Sequence, residues 1–283
     1  MKSIMTLTAA VVSALALSAC GGGSDSAAPN RADEGIWSAD EMQMVILSDG
    51  SYWGIYGGVP LDDGGFTPIT VVSHGTASIS GNNISGAYTT FPFIWTTDPA
   101  PAPYYGNGTY SGTVSAQNNL SATFNGPMLP VDSFNLSYDS NYSHPASLAT
   151  IAGNYLAGGI SNYVFCSGFC PPSSAYPELH ILGSNLILSD GNGTVAMTGT
   201  IAPHGTTVNV FDVSLTTTSS ANPLATDGAM LGIGPISAAA PQAGTTFNGI
   251  LLQISAGQPA RNYIEVVATA GDSAFFFVSN NQN

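Results

Sequence analysis

Met42-Gln43-Met44-Val45-Ile46-Leu47-Ser48-Asp49-Gly50-Ser51-Tyr52-Trp53-Gly54-Ile55-Tyr56 decides the fold class. An apolar run meets an Asp-Gly turn and continues as an aromatic run, the strongest short-range signal for a β-hairpin. The same grammar repeats outward from it. Thr76 to Ser80 and Ile84 to Tyr88 flank Gly81-Asn82-Asn83; Thr109 to Ala116 and Leu120 to Phe124 flank Gln117-Asn118-Asn119; Phe134 to Tyr138 follows. In the second half the candidate strands are Gly153 to Ile160, Leu179 to Leu188, Thr194 to Ile201 and Thr207 to Leu215, then Gly228 to Gly234, Thr246 to Ile254, Asn262 to Thr269 and Ser273 to Ser279. Helical periodicity is nearly absent. The pattern predicts an all-β, antiparallel protein in two β-barrel-like or sandwich halves, with about eight short strands in the second.

His144-Pro145-Ala146-Ser147-Leu148-Ala149-Thr150-Ile151-Ala152 is the best helical turn, with Pro145 or Ser147 to start it and Gly153 to stop it. It sets the expected boundary between an N-terminal β domain, 35–144, and a C-terminal barrel-like domain, 145–283. A weak internal repeat links the halves. Gly35-Ile36-Trp37 matches Gly153-Asn154-Tyr155, and Leu47-Ser48-Asp49-Gly50 matches Leu188-Ser189-Asp190-Gly191. Pro99, Pro101 and Pro103 enforce an extended, unpaired segment, and Ser219 to Asp227 reads as a polar loop.

The chain's start is a separate matter. Lys2 precedes an apolar run from Ile4 to Leu17, too short to span a membrane, and Leu17-Ser18-Ala19-Cys20 closes it. This segment resembles a bacterial lipoprotein signal with its lipobox. The resemblance implies a signal peptide at 1–19, acylation of Cys20 and, because Gly21 rather than Asp follows, delivery to the outer membrane. Lipid chains on Cys20 anchor through about 0.8 kcal/mol per buried CH₂. Residues 20–34, rich in Gly and Ser, read as a lipidated flexible tether.

The basic residues beyond the signal are Arg31 and Arg261, against 17 acidic residues. That balance argues against nucleic acid and anionic lipid surfaces as partners. Charged residues are only 7% of the chain, so solubility falls to Ser, Thr, Asn and Gly, while 44% hydrophobic content excludes intrinsic disorder. The remaining cysteines, Cys166 and Cys170, are expected to form a local disulfide in an oxidising compartment. A metal site there lacks neighbouring ligands.

The mature region is similar to a group of beta-proteobacterial lipoproteins. The matching features are Gly35 to Trp37, Asp49 to Trp53, the Pro145 to Tyr155 motif and Phe276 to Val278. That resemblance implies no activity. Two β-rich halves behind a lipobox also resemble surface lipoproteins of the factor H-binding protein and transferrin-binding protein B type, in architecture alone.

Catalytic patterns are weak. His74, His144, His180 and His204 form no ligand-spaced pair, and no Gly-x-Ser-x-Gly elbow occurs. Asp40-Glu41 and Asp62-Asp63 read as solvated turns. Asp62-Asp63-Gly64-Gly65, Asp139-Ser140-Asn141 and Asp190-Gly191-Asn192-Gly193 offer oxygen ligands but lack EF-hand spacing, so no metal or cofactor is expected. Tyr52, Trp53 and Tyr56, with Phe93, Trp95, Tyr104 and Tyr105, are either a contact surface or core, and core is favoured for Trp53 and Trp95. The expected function is a non-enzymatic, lipid-anchored outer-membrane protein, on its periplasmic or surface side, that binds a protein or glycan or serves the envelope structurally. The alternatives are a lipocalin-like carrier of a small apolar ligand and a hydrolase.

Overall fold

The computed structural model describes residues 31–39, 42–56, 69–94, 106–126, 129–157, 177–190, 192–218, 234–235, 242–256 and 261–281. Cys20, Cys166, Cys170, Asp40-Glu41, Asp62-Asp63, Trp95, Tyr104 and Tyr105 lie outside these residues, as does 228–233.

The first half contains β1 (Gly35–Ala39), β2 (Met42–Ile46), β3 (Ser51–Tyr56), β4 (Ile69–Ser80), β5 (Asn83–Ile94), β6 (Gly106–Ser115), β7 (Asn119–Gly126) and β8 (Leu129–Tyr138). They pair in sequence order and close through β1 and β8 into an antiparallel barrel. A 3₁₀ turn, Ser140–Ser143, and a short helix α1, Leu148–Ile151, lead into the second half. There β9 (Gly153–Ala157), β10 (Glu178–Leu182), β11 (Asn185–Ser189), β12 (Val195–Pro203), β13 (Val210–Thr217), β15 (Thr246–Ala256), β16 (Arg261–Ala270) and β17 (Ser273–Asn281) form a second closed antiparallel sheet, with β17 returning to β9. The two-residue β14 (Gly234–Pro235) adds beside β17. The described residues thus form two antiparallel meander barrels, one of the two architectures that the hairpin grammar leaves open.

One strand expected as continuous, Leu179 to Leu188, is instead a hairpin. Gly183 takes φ +61° and Leu182 pairs with Asn185 across Gly183-Ser184. A glycine at the first position of a two-residue turn matches the strand twist, whereas a side chain there would be strained. Gly81-Asn82 and Gly271-Asp272 repeat the device. In the hairpin quoted first, the Gly50 N–H donates to the Leu47 carbonyl at 2.9 Å, and Asp49 Oδ1 accepts from the Ser51 N–H at 2.8 Å.

Side chains occupy both interiors. In the first barrel Trp37, Met42, Met44, Ile46, Tyr52, Tyr110 and Phe124 belong to one cluster. Space for the rings comes from inward-facing glycines: a Cβ on Gly86 would lie 2.4 Å from the Tyr110 ring, and one on Gly108 would lie 2.3 Å from that of Tyr88. The Tyr52 hydroxyl meets Ser73 Oγ at 2.9 Å, and that of Tyr110 donates to the Thr76 carbonyl at 3.4 Å. The second interior is aliphatic and phenylalanine-rich, with Phe211, Phe247, Phe275 and Phe277 fully buried.

The halves are also equivalent at their first strands. Trp37 and Tyr155 both point inward, and each ties its polar tip to a carbonyl four residues back. Trp37 Nε1–H donates to Asp33 at 2.9 Å, and the Tyr155 hydroxyl donates to Ile151 at 3.0 Å. The second sequence match is not equivalent: Leu47 to Gly50 joins β2 to β3, whereas Leu188 to Gly191 leads from β11 toward β12.

Candidate functional site: the seam between the barrels

Most strands of a closed barrel bury one face and wet the other. β7 does so, its buried residues alternating with exposed or half-buried ones. β2 is buried at every position, as are Ile264 to Ala268 of β16 and Ala274 to Ser279 of β17. These strands have a second apolar neighbour, which is the other barrel. The outward Ile36, Val45, Trp53, Ile55, Val72 and Phe91 of the first barrel form one core with Val210, Ile250, Leu252, Val267, Phe276 and Val278 of the second. Residues Arg31–Asn283 make one compact unit.

The connecting segment stitches one end of this seam. The Asp139 N–H donates to the Ile36 carbonyl at 2.8 Å, the Asn209 N–H to Tyr142 at 2.9 Å, and the Ala146 N–H to Val208 at 3.0 Å. The Tyr142 hydroxyl donates to Glu34 Oε1 at 2.9 Å. Burial, and then the Glu34 carboxylate, push the Tyr142 phenol well above its ordinary range. Asp139, in one of the oxygen-rich loops, accepts the Asn141 N–H at 2.9 Å and caps the 3₁₀ turn.

Titratable groups from both barrels gather at this end. His74 of β4 pairs in register with Trp53 and stacks on it, with ring centroids 4.0 Å apart. Burial holds the His74 imidazole below its ordinary value against a smaller upward pull from Asp49. Burial pushes the Asp49 carboxyl up, but hydrogen bonds from Ser51 and the charge of His204 in the other barrel outweigh it and hold it low. His204 Nδ1 lies 2.7 Å from Asp212 Oδ1. His180 stands apart, against Asn154 at 2.8 Å, and His144 follows the 3₁₀ turn. Among the described residues no serine hydroxyl bonds to a histidine, and no group of three His, Cys, Asp or Glu is placed to hold a metal ion. Asp190 of the third calcium-like loop accepts the N–H groups of Asn192 and Thr194 at 2.9 and 2.7 Å.

Two seam residues were not singled out in the sequence. Gln43 and Glu265 are 4% and 1% exposed, each with apolar cross-strand neighbours on the seam. Gln43 shares its row with Ile55, Val72 and Phe91, and Glu265 shares its row with Val210, Leu252 and Val278. Gln43 Oε1 and both Glu265 carboxyl oxygens have no hydrogen-bond partner among the described residues. Burial alone pushes the Glu265 carboxyl up to about 8. A polar residue inside an apolar run, as in Ile264-Glu265-Val266-Val267, is the signal that marks it. Trp53, weighed above as a contact residue, is core.

The first described residue is also held. Arg31 Nε and Nη2 donate to the fully buried Asp33 carboxylate at 3.0 and 2.8 Å, and Nη2 donates to the Ala77 carbonyl at 2.9 Å. No protein-family model and no curated protein matches the chain.

Proposed function

We propose that this chain is an outer-membrane lipoprotein, acylated at Cys20, whose fused barrels serve as a rigid, non-enzymatic module for binding a protein or glycan partner or for building the envelope. The observation that carries the reading is the occupation of both barrel interiors by the protein's own side chains. A carrier of small apolar ligands needs that volume free. With the interiors filled, outer faces and connections are left to make contacts. The meander supports the same reading. The short turns β2–β3, β4–β5 and β6–β7 share an end with Arg31 and the connecting segment, whereas the connections after Tyr56 and Ile94 leave from the opposite end. The strand ends Tyr56 and Ile94 thus lie on the side away from Arg31.

The anchor and the module are tested separately. Replacing Cys20 by Ala should move the protein from the membrane fraction to the soluble envelope fraction and abolish labelling by a radioactive fatty acid; unchanged membrane retention would sink the anchor. For the module, the purified mature protein should show no saturable uptake of a fluorescent fatty acid, while affinity capture from envelope extracts should return a discrete protein or polysaccharide. Stoichiometric fatty-acid binding would favour the carrier instead.

A further inference from the structure

We propose that the seam between the barrels is a pH-gated interface: neutral Glu265 lets the two sheets close on each other, and its ionisation parts them while each barrel keeps its fold. The inference goes beyond the functional reading above and does not rest on it.

The geometry is that of a charge trap. Glu265 projects from β16 away from its own barrel's interior, because Ile264 and Val266 on either side point inward. Its neighbours in register are Leu252 of β15 and Val278 of β17, both seam residues. The sheet across the seam presents Ile36, Val45, Trp53, Ile55, Val72 and Phe91, with the polar Gln43 and His74 in their rows. The titratable groups bordering the seam are Asp49 on the β2–β3 turn, His74 on β4, Tyr138 on β8, Tyr142 and Glu34 beside the connecting segment, and Asp212 and His204 on the second barrel. None contributes to the environment of Glu265, on which burial alone acts. Among the described residues a carboxylate placed there has neither a counter-charge nor a donor, and unpaired buried charge is relieved by protonation or by admitting water. The seam is where water can be admitted cheaply. Each barrel is closed by its own backbone ladder, whereas along this face the two sheets meet through the side chains of one shared core.

The test is side-chain labelling of the full mature protein with a diffusible carbene at about pH 6 and about pH 9.5, on either side of the transition. Labelling of Trp53, Phe91 and Phe276 should rise several-fold at the higher pH, while Tyr52, Phe124 and Phe211 inside the barrels stay protected. Glu265→Gln, which keeps the shape without the charge, should abolish the rise, and Glu265→Leu provides a second uncharged side chain if the amide folds poorly. Equal labelling of the seam at both pH values in the wild type, an undiminished rise in an uncharged variant, or parallel exposure of the barrel interiors would each overturn the proposal.

Discussion

Arg31 and Asp33 show how much one pair of side chains carries. The carboxylate is fully buried and is satisfied by a two-pronged guanidinium that also reaches the Ala77 carbonyl. Removing the cation leaves a buried negative charge without its partner. Because Arg31 is itself partly exposed, water relieves some of the loss, and Arg31→Met should cost about 1–3 kcal/mol in chemical denaturation. Arg31→Met with Asp33→Ala should recover part of that cost; no recovery would mean the charge is not its source. Gln117 is a simpler case. Among the described residues it is the non-glycine residue with positive φ, +52°, in the turn closed by the Asn118 N–H to Ser115 carbonyl bond at 3.0 Å. Glycine adopts that backbone without the Cβ penalty, so Gln117→Gly should raise stability by about 0.5–1 kcal/mol, read as a shift in the denaturation midpoint.

At the level of elements, the interior of the first barrel depends on a division of labour between strands. Tyr88 and Tyr110 lie across glycines of neighbouring strands, so the ring on one strand requires the absence of a side chain on the next. Gly108→Ala drives a methyl group into the Tyr88 ring, and Gly86→Ala drives one into both the Thr76 carbonyl and the Tyr110 ring; each should cost about 1–3 kcal/mol, with loss of near-ultraviolet tyrosine ellipticity. An unchanged melting temperature in both variants would show that the rings move aside freely. The β10–β11 hairpin obeys the same rule of local necessity. Its turn is set by Gly183 alone, which is why a continuous apolar reading of Leu179 to Leu188 conceals it.

Among the pH-sensitive groups along the seam, Glu265 and His74 act with opposite sign. Glu265 is raised in the folded state, from an ordinary 4.5 to about 8, so the unfolded chain releases its proton first as pH rises. Its penalty is absent below the unfolded value and grows as pH climbs toward 8. His74 is lowered, so folding favours its neutral form, and that contribution is complete above the ordinary histidine value and is lost as pH falls. Above the ordinary histidine value, where the His74 contribution is complete, global stability should therefore decline toward alkaline pH, and Glu265→Gln should flatten that decline, recovering on the order of 2–3 kcal/mol near neutrality. A parallel decline in wild type and variant would assign it elsewhere. Composition has a practical consequence at this scale. After Lys2 the trypsin-cleavable residues are Arg31, locked to Asp33, and Arg261, which opens β16. The native body should resist trypsin on intact cells even if surface-exposed, so exposure must be read with a protease of broad specificity.

By itself the sequence determined the lipobox resemblance, the all-β class, the division into halves and most turns. These depend on residues adjacent in the chain: a Gly-Asn or Asp-Gly pair dictates a backbone reversal wherever it sits. The alternation within the outer strands was legible for the same reason. Only the tertiary structure decided that each half closes on itself, that Trp53 is core, and that Glu265 is sealed without a partner. The apolar runs Met42 to Leu47 and Ala274 to Val278 announce burial on both faces, but not what covers the second face. That depends on packing between segments more than 200 residues apart, Val45 against Phe276 in the same core, which no local pattern encodes. Glu265 likewise reads as an ordinary acid among β-formers until the opposing barrel removes its water.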